Sequence, residues 1–405
     1  MDNLKISKDN LKKIQFYPSI EKLYSLDKTI VEFPPEGYTF IGTGPNMAYK
    51  ITDRATSSKT LRKLIRPLYH LFLKIFKTTK IFEMTKKTPI MQEANLVFSG
   101  SVIYDIKKPW ILYMFDHPTS LAGNNYPLFL KYRDKIEQVL LSPYCKKIIY
   151  TNQTPIEFMK KQFCKEVVDK IVLIDSGMKP IGKAKTYPKD YNKKKKRILF
   201  MGSINNPLDF YIKGGLEVIK TMQSMSKRKD VEFVVRCMVS DEIKEEISKI
   251  PNATLIDKTV PFEEIIKLYE SADILFMPGH NYSVTAFLEA MSVGVPIIAL
   301  NTYAVQDYIE NGFNGFIVQR SDKIKGYTNL GYPSYIRTDT FTDEIKSLDD
   351  PELIARLKEK LEYLLANPGL IKKTGQNARK EFLRRYSLEK RNKEFKEVFD
   401  KALEH

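Results

Sequence analysis

Three stretches of the chain carry residue types suited to a phosphorylated ligand. Gly202 closes the apolar run ILFMG at residues 198–202, Lys213 stands directly before Gly214 and Gly215, and Ser283 to Thr285 open a helical stretch that carries Glu289. Glycine lets a ligand approach the backbone, lysine supplies a point charge, and a helix start offers unpaired amides and a partial positive charge. In a doubly wound sheet such groups meet beyond the carboxyl ends of the strands, which is where ligands bind. Any one of them alone is commonplace; their order along the chain points to a diphosphate.

Positioning them requires alternating strands and helices. After ILFMG comes GGLEVIKTMQSM with helical spacing, then VEFVVRCMV and DEIKEEISKI, ATLIDKTV and PFEEIIKLYESA, DILFMPG and SVTAFLEAMSVG, PIIAL and NTYAVQDYIENG, and finally GFIV. Strands alternating with helices of this length imply parallel pairing with helices on both faces, a Rossmann-like sheet. The first half has the same grammar in TIVEF, YTFIG, ANLVFSGSV, WILYMF, KIIYTN and DKIVLID. There YDIKKP is too short for a crossover helix between two strand-like runs, so one connection is irregular or one run is not a strand. Further helices are expected over PELIARLKEKLEYLLANP and from Gln376 to Leu403.

The expected organisation is α/β with two domains. Residues 1–180 form the first, the Lys-, Pro- and Gly-rich residues 181–196 a linker, residues 197–384 the second, and 385–405 a helix returning to the first. A chain of 405 residues, 43% hydrophobic and 28% charged, has ample core for this and lacks the composition of a disordered protein. Three cysteines, Cys145, Cys164 and Cys237, lack the paired spacing of disulfide or zinc frameworks, which fits a reducing compartment. The polar opening MDNLKISKDNLKK is no signal peptide, and no run of about 18 apolar residues occurs, so a cytoplasmic location is expected.

The net charge of +17 admits polyanionic partners: nucleic acid, an anionic membrane, or phosphorylated substrates. The densest cluster, KKKKR at 193–197, is read as a solvated linker, and no interleaved aromatic and basic motif supports nucleic acid. Residues 59–80, KTLRKLIRPLYHLFLKIFKTTK, segregate an apolar stripe from basic residues with no acidic interruption. Each basic residue at an anionic leaflet contributes about 1 kcal/mol, so this is a candidate interfacial helix. A helix packed on its own sheet has the same stripe, and the sequence leaves both readings open.

The segment PGHNYSVTAFLEAMSVGVPIIAL resembles the donor-site signature of the retaining glycosyltransferases of family four, and FMGSINNPLDFYIKGGLEVI is similar to their first phosphate loop. The resemblance implies the GT-B fold, two Rossmann-like domains facing each other across a cleft, and transfer of a sugar from a UDP- or GDP-linked donor to a glycan or lipid-linked acceptor with retention of configuration. It implies that Glu289 binds the ribose hydroxyls, Lys213 the diphosphate at the loop begun by Gly202, the amides of Thr285 and Ala286 the phosphates, and the backbone at Val260 the base. His117, in WILYMFDHPTS, matches a histidine lining the acceptor and sugar cleft. No metal or other cofactor is implied, since lysine and helix dipoles neutralise the leaving diphosphate.

The sequence departs from that pattern at three places. Asn281 stands eight positions before Glu289, where the family often has a second glutamate meeting the transferred sugar. Val284 replaces a glycine, and the first loop lacks the family's phosphate-binding arginine: Ser203 follows Gly202 and Ile212 precedes Lys213. Arg236 could supply that charge from the next strand end, although a structural salt bridge is its expected use. Two other readings follow: a nucleotide-sugar epimerase of similar fold, and a nucleotide-sugar-binding protein with weakened turnover.

Overall fold

The computed structural model describes residues 11–17, 25–42, 90–114, 117–122, 126–184, 195–327 and 339–404. Residues 59–80, the candidate interfacial helix, lie outside them. The chain divides into two compact units, Met1–Gly177 with Leu388–His405, and Met178–Ser387.

Six parallel strands make up the sheet of the first unit: β1 (Lys12–Tyr17), β2 (Tyr38–Gly42), β3 (Leu96–Gly100), β4 (Trp110–Met114), β5 (Cys145–Tyr150) and β6 (Ile171–Leu173), in the order β2-β1-β3-β4-β5-β6. The C-terminal helix Leu388–Leu403 lays Phe395 and Phe399 against Phe98, with ring centroids 5.8 and 5.6 Å apart. Arg391 fixes its start. Fully buried, the guanidinium donates to the carbonyls of Thr29 and Phe33 at 3.1 and 2.9 Å and to the Thr29 hydroxyl at 2.6 Å. Burial raises the nearby Asp27 carboxyl to about 7, while the Tyr113 hydroxyl and Arg391 pull it down.

One expectation for this half is corrected. TIVEF is not a strand: Thr29 to Glu32 end the helix Ser25–Glu32. Its β-branched run resembles a strand, but the Thr29 hydroxyl bonds the Leu26 carbonyl one turn back at 2.6 Å, and Ile30 turns into the core. The strand that takes its place in the sheet is β1, KKIQFY, hidden by two exposed lysines and a buried Gln15 whose side chain accepts from the Met91 amide at 2.9 Å. The connection through YDIKKP is indeed irregular. β3 and β4 pair in parallel with no helix between them, and Ser101 turns there with φ 54°.

The second unit holds β7 (Lys196–Met201), β8 (Val231–Arg236), β9 (Ala253–Ile256), β10 (Ile274–Met277), β11 (Ile297–Leu300) and β12 (Gly315–Val318), ordered β12-β11-β10-β7-β8-β9 and all parallel. Read from β9, this is the doubly wound dinucleotide order, and its reversal falls between β7 and β10. The central strands are apolar on both faces, as a sheet covered on both sides requires: Ile198 to Phe200, Ile274 to Met277 and Ile297 to Leu300 are all buried. NTYAVQDYIENG does not form the expected helix. Only a 3-10 turn, Val305–Asp307, lies between β11 and β12, because Ala304 takes a left-handed φ of 59° and buried Tyr303, Tyr308 and Asn314 hold the chain in a folded-back loop. The helical stretch expected from Gln376 to Leu403 is broken, one helix ending at Arg385 and the next starting at Leu388.

Candidate functional site

β7 and β10 adjoin at the reversal of strand order, the place on the carboxyl edge of a doubly wound sheet where ligands bind. Gly202 ends β7 there. A Cβ on it would lie 2.2 Å from the Cys237 sulfur, so only glycine lets the loops after β7 and β8 run side by side. They are stitched by the Met238 amide donating to the Ser203 carbonyl at 2.9 Å. Cys237 is buried, which pushes its thiol up to about 12, with the charge of Lys213 acting against that shift.

The loop after β7 returns through a short helix, Leu208–Ile212, to Lys213, and Gly214 then starts the helix Gly215–Ser224 with φ 83°. Gly214 abuts the loop after β10 so closely that a Cβ would sit 2.1 Å from the Pro278 carbonyl oxygen. Beside it the His280 amide donates to the Ile212 carbonyl at 2.8 Å. These contacts bring Lys213 to the start of the helix Val284–Val293, where its ammonium donates to the Ser283 hydroxyl at 2.8 Å. Ser283 occupies the capping position but makes no side-chain cap bond. At such a start the amides of Thr285 and Ala286 have no carbonyl one turn back, so they remain directed out of the helix end.

Glu289 stands one turn further along, half-buried. Burial raises its carboxyl above the ordinary glutamate range, opposed by the Tyr269 hydroxyl and by the charge of Arg236. Tyr269 is fully buried, and its hydroxyl lies beside the carboxylate without completing a bond of normal geometry. Arg236 ends β8 and donates to the Gly202 carbonyl at 3.0 Å. The structure therefore brings Gly202, Lys213, Thr285, Ala286 and Glu289 to one edge of one sheet. Val260, half-buried, lies on the same edge, in the loop after β9.

Asn281 is on the loop after β10, two residues before Ser283, and its side-chain oxygen is enclosed without a hydrogen-bond partner among the described residues. His117 belongs to the first unit and is fully buried, its Nδ1 2.9 Å from the Thr119 hydroxyl and its ring 4.7 Å from that of Phe158. The Thr119 amide donates to Nδ1, which assigns the ring proton to Nε2, and burial depresses the imidazole to about 3. At neutral pH it is an uncharged ring in the wall of its unit.

Several residues behind the site had no mark in the sequence. His280 is fully buried, with Nε2 3.1 Å from a Glu217 carboxylate oxygen and Nδ1 3.0 Å from the Tyr327 hydroxyl, which donates to the His280 carbonyl at 3.1 Å. Arg320 stacks on Tyr327 at 4.3 Å. Tyr327 thus buttresses the loop that carries Asn281. The spacing of Glu217 and His280, far apart in the chain, gave no signal that they meet. Among the described residues, no group of three or more His, Cys, Asp or Glu could hold a metal ion, and no helix is long and apolar enough to cross a membrane.

Comparison with known proteins points to the same segment. Residues 195–329 match the family model described as glycosyl transferases group 1. A D-inositol 3-phosphate glycosyltransferase of Corynebacterium urealyticum is 32% identical over 83 residues, a match that spans 20% of this chain and only 19% of that one. Among solved structures, a glycosyltransferase from Rickettsia africae superposes with a TM-score of 0.61 at 14% identity, covering 98% of this chain and 100% of that one. HepE of Anabaena in complex with UDP gives a TM-score of 0.60 at 12% identity, with coverage of 96% and 100%. Residues 195–329 are therefore similar in sequence to glycosyl transferases group 1, and the chain has the fold of the GT-B glycosyltransferases, two parallel-sheet α/β domains.

Proposed function

We propose that the protein is a glycosyltransferase that moves a sugar from a UDP- or GDP-linked donor to a glycan or lipid-linked acceptor, with retention of configuration. The observation that carries this reading is the meeting of Lys213, the open start of the helix Val284–Val293, and Glu289 at the strand-order reversal of the second sheet. A carboxylate accepts from two adjacent hydroxyls, which suits the ribose, while the lysine and the helix start face the diphosphate. As the bond to the sugar breaks, negative charge grows on the leaving diphosphate, and these preorganised groups stabilise it without a metal. The UDP bound by HepE supports a nucleotide of this class. The three free cysteines fit a cytoplasmic, reducing setting, and residues 59–80 would hold the enzyme at an anionic inner membrane surface if its acceptor is lipid-linked.

Asn281 favours a second reading. An amide there carries no charge to orient the transferred sugar, which would leave a protein that binds nucleotide sugars and turns them over weakly. Release of UDP or GDP from a panel of nucleotide sugars, with and without membrane glycolipid and glycan acceptors, decides between them. Acceptor-dependent release of one nucleotide is expected; tight binding with no release favours the second reading, and no binding of any donor overturns both.

The raised carboxyl of Glu289 sets a pH dependence. Ribose hydroxyls need the ionised form, so affinity for UDP or GDP should rise with pH through the carboxyl's elevated value, leaving an acid limb above the ordinary glutamate range. Calorimetric titration across mildly acidic pH measures it. An affinity flat down to the pH where free glutamate protonates would show that this carboxylate does not contact the ligand.

A further inference from the structure

We propose that Arg236, at the carboxyl end of β8, is the second cation of the diphosphate site and binds a phosphate oxygen beside Lys213. The inference rests on the donor-site reading above and adds to it a residue from a different strand. Lys213 alone faces the carboxylates of Glu289 and Asp209 at this edge, a balance poorly matched to a diphosphate, and the guanidinium adds a second positive charge.

Its position supports this. One Nη1 hydrogen goes to the Gly202 carbonyl at 3.0 Å, which fixes the group at the mouth of the loop running from Ser203 to Lys213. Arg236 precedes Cys237 in the chain, and the charge of Lys213 also reaches that side chain. Expectation from sequence made Arg236 half of a structural salt bridge, yet among the described residues no carboxylate lies within ion-pair distance of it. The Glu289 charge reaches it without a contact, and its Nε is enclosed with no hydrogen-bond partner there. A half-buried guanidinium held by one carbonyl loses hydration without recovering it. A phosphate oxygen would complete it, because the planar fork matches phosphate geometry where an ammonium offers only a point charge. The competing role is a staple between the ends of β7 and β8 that also keeps Glu289 ionised.

The two roles separate by ligand. Affinities for UDP, UMP and uridine, or the guanine series if GDP binds better, are measured for the wild type, Arg236→Gln, Arg236→Lys and Lys213→Met, with melting of each free variant as the check on folding. A phosphate contact predicts that Arg236→Gln weakens the diphosphate by about tenfold or more, as Lys213→Met does, while the nucleoside changes less than about twofold. Arg236→Lys should restore part of the loss. Equal weakening of nucleoside and diphosphate assigns the arginine to Glu289 or to the loop and overturns the proposal, as does an undiminished diphosphate affinity. Should Arg236→Gln not fold, the same ratio is read from Arg236→Lys, where a diphosphate-selective loss supports the contact and none contradicts it. A wild type that binds neither nucleotide overturns the donor-site reading itself, whereas a wild type that binds and a variant that matches it sink only the role of Arg236.

Discussion

Replacing Gly214 by alanine is expected to cost the second unit about 3 kcal/mol, the largest stability loss of any single methyl added at this site. Two penalties combine. The residue sits at φ 83°, where an L side chain is strained, and the new Cβ would stand 2.1 Å from the Pro278 carbonyl oxygen, a backbone atom with little room to yield. Gly312 supplies the control, since it has φ 83° and an added methyl there would meet nothing within 4 Å. Gly312→Ala should therefore cost only about 1 kcal/mol, and the difference between the two variants isolates the contact between the loops after β7 and β10. Urea unfolding followed by a probe in the second unit measures both. Equal losses would mean that the close approach of Gly214 to Pro278 does not hold the loops together. Since the same approach aims Lys213 at Ser283, Gly214→Ala should weaken nucleotide binding as well, and Gly312→Ala should not.

Glu289→Gln is expected to do the opposite, removing function and sparing stability. The amide keeps the shape of the side chain but loses two charge-assisted hydrogen bonds, so affinity for UDP or GDP should fall by about 2 kcal/mol, roughly thirtyfold. Burial holds the native carboxyl above its ordinary range. A group with a raised folded value contributes its stability below the unfolded value and loses it as pH rises through the folded one, so at neutral pH the charged Glu289 burdens the fold. The neutral variant should then melt no lower than the wild type at neutral pH, and relatively lower in acid, where the native carboxyl is protonated. Paired melting and titration curves test this. A variant that loses stability and binding together would assign Glu289 a structural task.

How far these features were legible depends on where they lie. The central strands of the second sheet are buried on both faces, so Ile198 to Met201, Ile274 to Met277 and Ile297 to Leu300 appear as apolar runs, and Gly202, Lys213 and Glu289 follow at the carboxyl edge that parallel pairing creates. The first unit was harder because local preference and tertiary packing disagree there. Thr29 to Glu32 have strand chemistry yet form a helix anchored through Arg391, and Lys12–Tyr17 is a central strand that begins with two exposed lysines. NTYAVQDYIENG has helical periodicity, but aromatic burial and the turn at Ala304 prevail over it. What no pattern in the chain could disclose were long-range meetings: His280 with Glu217 and Tyr327, and Arg236 with the Gly202 carbonyl. Each joins residues from different loops, and only the strand order makes them neighbours.

In the proposed reading a short lysine-bearing loop and one helix start bind the diphosphate, and the strand order is what brings them together. The reversal between β7 and β10 sets the loops that follow them at one carboxyl edge, where Gly214 packs on Pro278 and Lys213 reaches Ser283. Gly202 and Gly214 let the loops pack closely, Lys213 bonds Ser283 at the start of the helix Val284–Val293, and Glu289 lies one turn along that helix.

The most direct test is a crystal structure of the protein soaked with whichever of UDP and GDP raises its melting temperature more. The account predicts both ribose hydroxyls within hydrogen-bonding distance of the Glu289 carboxylate, and the diphosphate running from the Val284–Val293 helix start to the Lys213 ammonium. A nucleotide seated away from the reversal between β7 and β10, or one whose ribose faces Lys213 while its phosphates point away, would contradict it.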